Sequence, residues 1–205
     1  MARLSRDESR SITIEKLKAA ALTEFARLGF GGASVDRICE AAGYSRGAFY
    51  ANYKTKQDLL LDLLNEYNAG EIAEWRNVIS SAHDMEAIYA DMGARFERYV
   101  GKAEWGMFAV EVLLQAKRNP EFADKYRVYQ EALMDSVAQA LGMMFDKAGR
   151  VAPAPMIDLA TALRSYTTGL SLDYGVSASR NNAHTASTLL TLFLRGLIAQ
   201  GEPLR

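Results

Sequence analysis

Residues 34–60 read SVDRICEAAGYSRGAFYANYKTKQDLL, and the punctuation of this stretch decides the fold. Ser34 is a good N-cap, because its hydroxyl oxygen can accept a free first-turn amide, and Gly43 tolerates the left-handed backbone that closes a helix. Between them Val35, Ile38, Cys39 and Ala42 make one apolar face at helical spacing. Ser45 then caps a third, very short helix reaching about Ala51, and Thr55 with Asp58 three residues on resembles the capping box of a longer fourth helix. Two short helices joined by a tight turn form a helix-turn-helix, whose second helix is the piece that fits a DNA major groove roughly 12 Å wide.

Outward from that stretch the pattern stays helical. Upstream, Ile14, Leu17, Ala21, Phe25 and Leu28 recur at spacings of three and four, a single stripe that Gly29 can terminate. Downstream, the fourth helix carries Leu60, Leu63, Leu64, Tyr67, Ile72, Trp75 and Ile79. Further helices are expected over 85–101, 104–117, 120–148, 155–179 and 185–200, with breaks at Asn119-Pro120, between 149 and 155, and at 180–182. No proline precedes Pro120, and no stretch alternates with the period of a strand. The expectation is an all-α chain: an N-terminal three-helix helix-turn-helix domain for DNA over 1–55, then a larger helical domain for ligand binding and dimerisation over 56–205.

The segment resembles the DNA-binding domain of the TetR family of bacterial transcriptional regulators. Ile38, Ala42 and Gly43 fit the family's Ile-x-x-x-Ala-Gly ending; Ser45, Gly47 and Tyr50 fit Ser-x-Gly-x-x-Tyr; and Tyr53, Lys56, Leu59 and Leu60 fit the aromatic, lysine and leucines that follow. Phe25, Gly29 and Phe30 resemble the end of the family's first helix, so the likeness spans roughly residues 12 to 64. Two positions depart: Cys39 replaces a usual alanine, and Asn52-Tyr53 replaces a common His-Phe pair.

Chemistry suggests the candidate DNA contacts. Free amides at the start of the short third helix, beside Ser45, favour a phosphate. Arg46 follows on the first turn, where a guanidinium can read guanine bidentately or hold a phosphate. Gly47 lets backbone approach DNA closely, and Tyr50 shares its face, with a hydroxyl for phosphate, a ring for a thymine methyl, or a place in the core. Phe49 points the other way, into the core. Asn52 can reach a base or a phosphate, and Arg37 and Lys54 are auxiliary phosphate contacts or solvated charges. The resemblance implies a phosphate contact for Lys56.

One head offers few base contacts, so the body is expected to form a homodimer on a palindromic operator. Leu159, Leu163, Tyr166 and Leu170 on one late helix, with Leu189, Leu192, Phe193, Gly196 and Leu197 on the last, give two stripes resembling the family's four-helix interface, with intramolecular core as the competing use. Between the head and these helices Phe96, Tyr99, Trp105, Phe108, Tyr126, Tyr129 and, again, Tyr166 are either core or the lining of a site for an aromatic or amphipathic effector. In the family such a ligand moves the fourth helix and separates the two heads, so the resemblance implies an effector-released repressor.

Composition agrees and excludes alternatives. The 205 residues carry 49% hydrophobic and 24% charged residues, as in ordinary globular chains. Residues 1–58 hold 10 Lys and Arg against 7 Asp and Glu, whereas the remainder holds 14 against 18, so a mildly basic head sits on an acidic body. A polar start and the lack of a long apolar run argue for a cytoplasmic protein without membrane contact. Cys39 is the single cysteine and His83 and His184 the two histidines, with no nucleophile elbow, phosphate loop or paired metal-ligand spacing. No enzyme, cofactor or metal is therefore expected. The remaining rival is a helical module that binds a ligand or a protein without DNA.

Overall fold

In the computed structural model, which describes residues 5–100, 103–173 and 183–204, the caps read from the sequence do the work assigned to them. Side chains of 103–109 and 183 lie outside the described residues, as do the ends expected near 179 and the break at 180–182. Nine helices are described: α1 (Arg6–Gly32), α2 (Val35–Ala42), α3 (Arg46–Tyr50), α4 (Lys56–Ser81), α5 (Met85–Val100), α6 (Ala103–Arg118), α7 (Pro120–Lys147), α8 (Met156–Asp173) and α9 (Ala183–Ala199). The chain is all-helical in class, apart from one short pairing. β1 (Arg150–Val151) and β2 (Glu202–Pro203) run antiparallel, with Arg150 opposite Pro203 and Val151 opposite Glu202. Two-residue strands are too short to show a period, so the sequence pattern had no way to announce them.

At the head, Ser34 Oγ accepts from the Arg37 amide, Ser45 Oγ accepts from the Ala48 amide, and Gly43 closes α2 at φ 72° and ψ 30°. Thr55 and Asp58 complete their capping box: the Asp58 amide donates to Thr55 Oγ1 at 3.1 Å, and the Thr55 amide donates to the Asp58 carboxylate at 3.0 Å. Gly29 breaks α1 at φ 69°, as its position past the apolar stripe predicts, although helical turns resume to Gly32.

Residues 1–67 and 110–126 form one compact unit, and residues 68–109 and 127–205 form another. In the first, Leu17, Ile38, Phe49, Leu59 and Leu60 have no exposed surface. Burying such a side chain contributes about 1.5–3 kcal/mol, and α3, five residues long, has no stability of its own without Phe49. A polar net braces the same unit: Tyr53 donates to Asp62 at 2.6 Å, and Lys18 pairs with Asp62 at 2.9 Å and with Glu66 at 2.6 Å. Cys39 is buried, the small-apolar role expected of it, and burial pushes its thiol pKa up.

The second unit is built on Ile88, Met92, Leu141, Met144, Phe145, Ala160, Leu163, Leu190 and Leu194. Here α5 packs along α9 so closely that a Cβ at Gly93 would stand 2.9 Å from the hydroxyls of both Ser187 and Thr191. At one end of that seam Arg195 pairs with Glu86 and lies 4.6 Å over the Tyr89 ring.

Candidate nucleic-acid interface

Helix α3 presents two unlike faces. Phe49 is fully buried against Tyr53 and the head core, while Tyr50, one position on, is 49% exposed, so the core alternative for Tyr50 is excluded. Arg46 lies one turn before Tyr50, with its guanidinium 5.9 Å over that ring and 3.0 Å from the Asp36 carboxylate of α2. Hydrogen bonding to Tyr50 and then the Asp36 charge raise the Arg46 pKa above its already high value, so the cation is permanent. Gly47 is exposed, and a Cβ there would meet only Ser45 Oγ, at 3.6 Å. Ser45, Arg46, Gly47 and Tyr50 therefore share one open surface, with Arg37 and Lys54 exposed on the flanking segments.

Asn52 and Lys56 are placed differently from the rest. Asn52 Nδ2 donates to the Ala48 carbonyl at 2.8 Å and its Oδ1 accepts from Arg10 Nε at 3.1 Å, so it ties the end of α3 to the start of α1. The Lys56 ammonium turns inward. It donates to the carbonyls of Phe30 at 2.5 Å and Ala33 at 2.6 Å and sits 4.2 Å over the Phe30 ring. Burial lowers its pKa, with the Glu111 charge partly restoring it. Two of its three donors are thus engaged inside the head, which leaves one for a phosphate.

Sequence reasoning missed Asp36 and Arg10, and it read Glu111 as a charge of the body that either meets a ligand or lies on the surface, not as a partner of the Phe30 amide. Asp36 reads as an ordinary first-turn acid, favourable with the helix dipole, and nothing in its spacing announces Arg46. Arg10 and Glu111 act over 42 and 81 residues of chain, separations at which periodicity carries no signal.

In the second unit Leu159, Leu163 and Leu170 are buried at 8%, 2% and 9% exposure within the protomer, so they do not form an outward stripe. The exposed residues of α8 are instead Ile157, Asp158, Thr161, Ala162, Ser165, Gly169, Leu172 and Asp173. On α9, Leu192 is 64% exposed and Gly196 is exposed, whereas Leu189, Leu197 and Phe193 are half-buried, Phe193 stacking on Tyr166 at 4.6 Å. Tyr166 also donates to the Leu189 carbonyl at 3.2 Å. Phe96 is buried and stacks on Tyr99, and Tyr129 is buried and accepts from Asn68. Tyr126 belongs to the first unit, stacked on Phe122. The side chains of Trp105 and Phe108 lie outside the described residues. Among the described residues no helix is long and apolar enough to cross a membrane.

A capped helix-turn-helix with an open, arginine-bearing second helix, followed by a larger helical unit, defines the class: helix-turn-helix transcriptional regulators. The comparisons narrow it. Residues 17–63 match the model of the bacterial regulatory proteins of the tetR family. The helix-turn-helix transcriptional repressor AcnR of Corynebacterium glutamicum is 30% identical over 145 residues, 71% of this chain and 72% of that one. AcnR of Corynebacterium efficiens is 32% identical over 123 residues, 60% and 61% of the two chains. The regulator FadR of Bacillus subtilis, solved in complex with stearoyl-CoA, superposes with a TM-score of 0.70 at 16% identity over 88% of this chain and 96% of that one, a likeness of fold. The chain belongs to the TetR family. It is a transcriptional regulator, not an enzyme.

Proposed function

We propose that the chain is a cytoplasmic repressor that binds a palindromic operator as a homodimer and is released by a small amphipathic effector. The observation that carries DNA binding is the division of α3, with Phe49 wholly inside and Arg46 and Tyr50 outside on an exposed surface. On this reading Arg46 reads a base edge; Ser45, Gly47, Tyr50, Arg37 and Lys54 set phosphate register; Asn52 holds the end of α3; and Lys56 supports the surface from within and offers its third proton to a phosphate. Residues 1–55 are the DNA-binding domain, and residues 56–205 bind the effector and dimerise.

Dimerisation is assigned to the outward faces of α8 and α9, where Ile157, Leu172 and Leu192 are apolar and exposed, and where Ala162, Ser165, Gly169 and Gly196 are small enough to let helices approach. The effector reading is supported by three buried side-chain nitrogens, Arg76 Nε, Gln130 Nε2 and Arg164 Nε, which have no acceptor among the described residues. All three belong to the second unit and all are donors. Carbonyl or carboxylate oxygens of a ligand are acceptors that suit such donors, and the stearoyl-CoA of the FadR complex is an amphipathic molecule that carries carbonyl oxygens.

The test is a gel-shift titration of the full chain against DNA flanking its own gene, with and without amphipathic carboxylates and acyl thioesters. Specific retardation relieved by one compound is the expected result. Retardation that none relieves removes the effector class. No retardation at moderate salt overturns DNA binding in favour of a helical module that binds ligand or protein alone.

A further inference from the structure

The break in α1 at Gly29 frees the Phe30 amide, which in an unbroken helix would donate four residues back. It donates instead to the carboxylate of Glu111, carried by α6. The carbonyl of the same residue accepts from the Lys56 ammonium of α4, which also takes the Ala33 carbonyl. Phe30 and Ala33 are buried, at 5% and 0% exposure. A Cβ at Gly29 would overlap the Glu111 carboxylate, so position 29 is bare where that carboxylate enters. Phe30, the first residue of α1 past its break, is therefore gripped at both its N–H and its C=O, by opposite charges from two other helices.

We infer that Glu111 is a positioning residue for operator binding, the group through which α6 fixes the end of α1 and hence the seat of the helix-turn-helix. This rests on the DNA-binding reading above. A carboxylate accepting a backbone amide is a strong, charge-assisted bond, and it has a directional demand that apolar packing lacks. The two charges also depend on each other: removing either leaves the other half-buried without its counter-charge.

The test uses the full chain and two readouts. Operator affinity is expected to fall about tenfold in Glu111→Gln and further in Glu111→Ala, with both variants still folded by circular dichroism, because bonds to charged groups are the strong ones. The Phe30 amide proton, followed by NMR, is expected far downfield in the parent and upfield in both variants. Combining Glu111→Gln with Lys56→Gln is expected to cost less than the product of the two single losses. Unchanged operator affinity in folded Glu111→Ala overturns the inference, and so does a Phe30 resonance that does not move. A multiplicative double variant overturns the charge pairing. If the parent itself retards no DNA, the DNA-binding reading fails, while the Phe30 resonance still decides the contact.

Discussion

Arg46 and Lys54 are both exposed cations of the head, yet their surroundings assign them different work. Arg46 is steered by Asp36 and Tyr50, whereas Lys54 has an open side chain beyond the end of α3. Arg46→Ala is expected to flatten preference at one operator position by roughly tenfold to a hundredfold while sparing random DNA. Lys54→Ala is expected to weaken all sequences alike and to lower the salt slope by about 1. Fluorescence anisotropy over a salt series separates the two, and equal losses for both variants on specific and random DNA would reject the assignment. The two positive-φ glycines of the head differ in a similar way. Gly43 has open space around its missing side chain, so Gly43→Asn is expected to be nearly neutral and Gly43→Ala to cost about 1 kcal/mol of backbone strain. Gly29 has the same backbone demand plus an occupied site, so Gly29→Ala is expected to lower the melting temperature clearly more than Gly43→Ala does.

At the scale of helices, what was legible in the sequence was local chemistry. Ser34, Gly43, Ser45 and the pair Thr55 and Asp58 cap what they were expected to cap, because a cap is settled within four residues. The direction of a side chain was not legible. Leu159, Leu163 and Leu170 keep perfect helical spacing, but a stripe has the same period whether it faces the protomer core or a second copy, and here the core takes it. Lys56 stood at the expected position with an unexpected aim, since no spacing rule registers a carbonyl 26 residues away. The start of α4 yields a pH prediction. Burial raises the Asp58 pKa, but the Lys125 ammonium at 2.7 Å and the Thr55 hydroxyl and amide outweigh it, leaving the carboxyl below its ordinary 3.8. The unfolded chain then takes the proton more readily than the folded one. This carboxylate's contribution is complete above 3.8 and is lost as pH falls through the lower folded value. Asp58→Asn should melt below the parent near neutrality, with the gap closing on acidification. A gap that stays constant below 3.8 would count against the assignment.

For the molecule as a whole, the proposed two-fold and the protomer core call for different residues on the same helices. Leu192→Arg is expected to yield monomers by sedimentation with the fold intact and operator affinity strongly reduced, since Leu192 is 64% exposed. Leu163→Ala is expected to cost about 2–5 kcal/mol of stability, because it empties a buried site. Leu192→Arg that remains dimeric would move the interface elsewhere. The seam at Gly93 carries a consequence for response. With both hydroxyls of Ser187 and Thr191 against that glycine, α5 and α9 have no slack between them and behave as one stiff girder. If α9 lies on the two-fold, any effector that displaces α5 in one subunit loads the girder of the other, and occupancy of the first site alters the second. Effector release would then follow a sigmoid with a Hill coefficient above one, and a looser seam, such as Thr191→Ala would create, would bring the curve back toward a hyperbola.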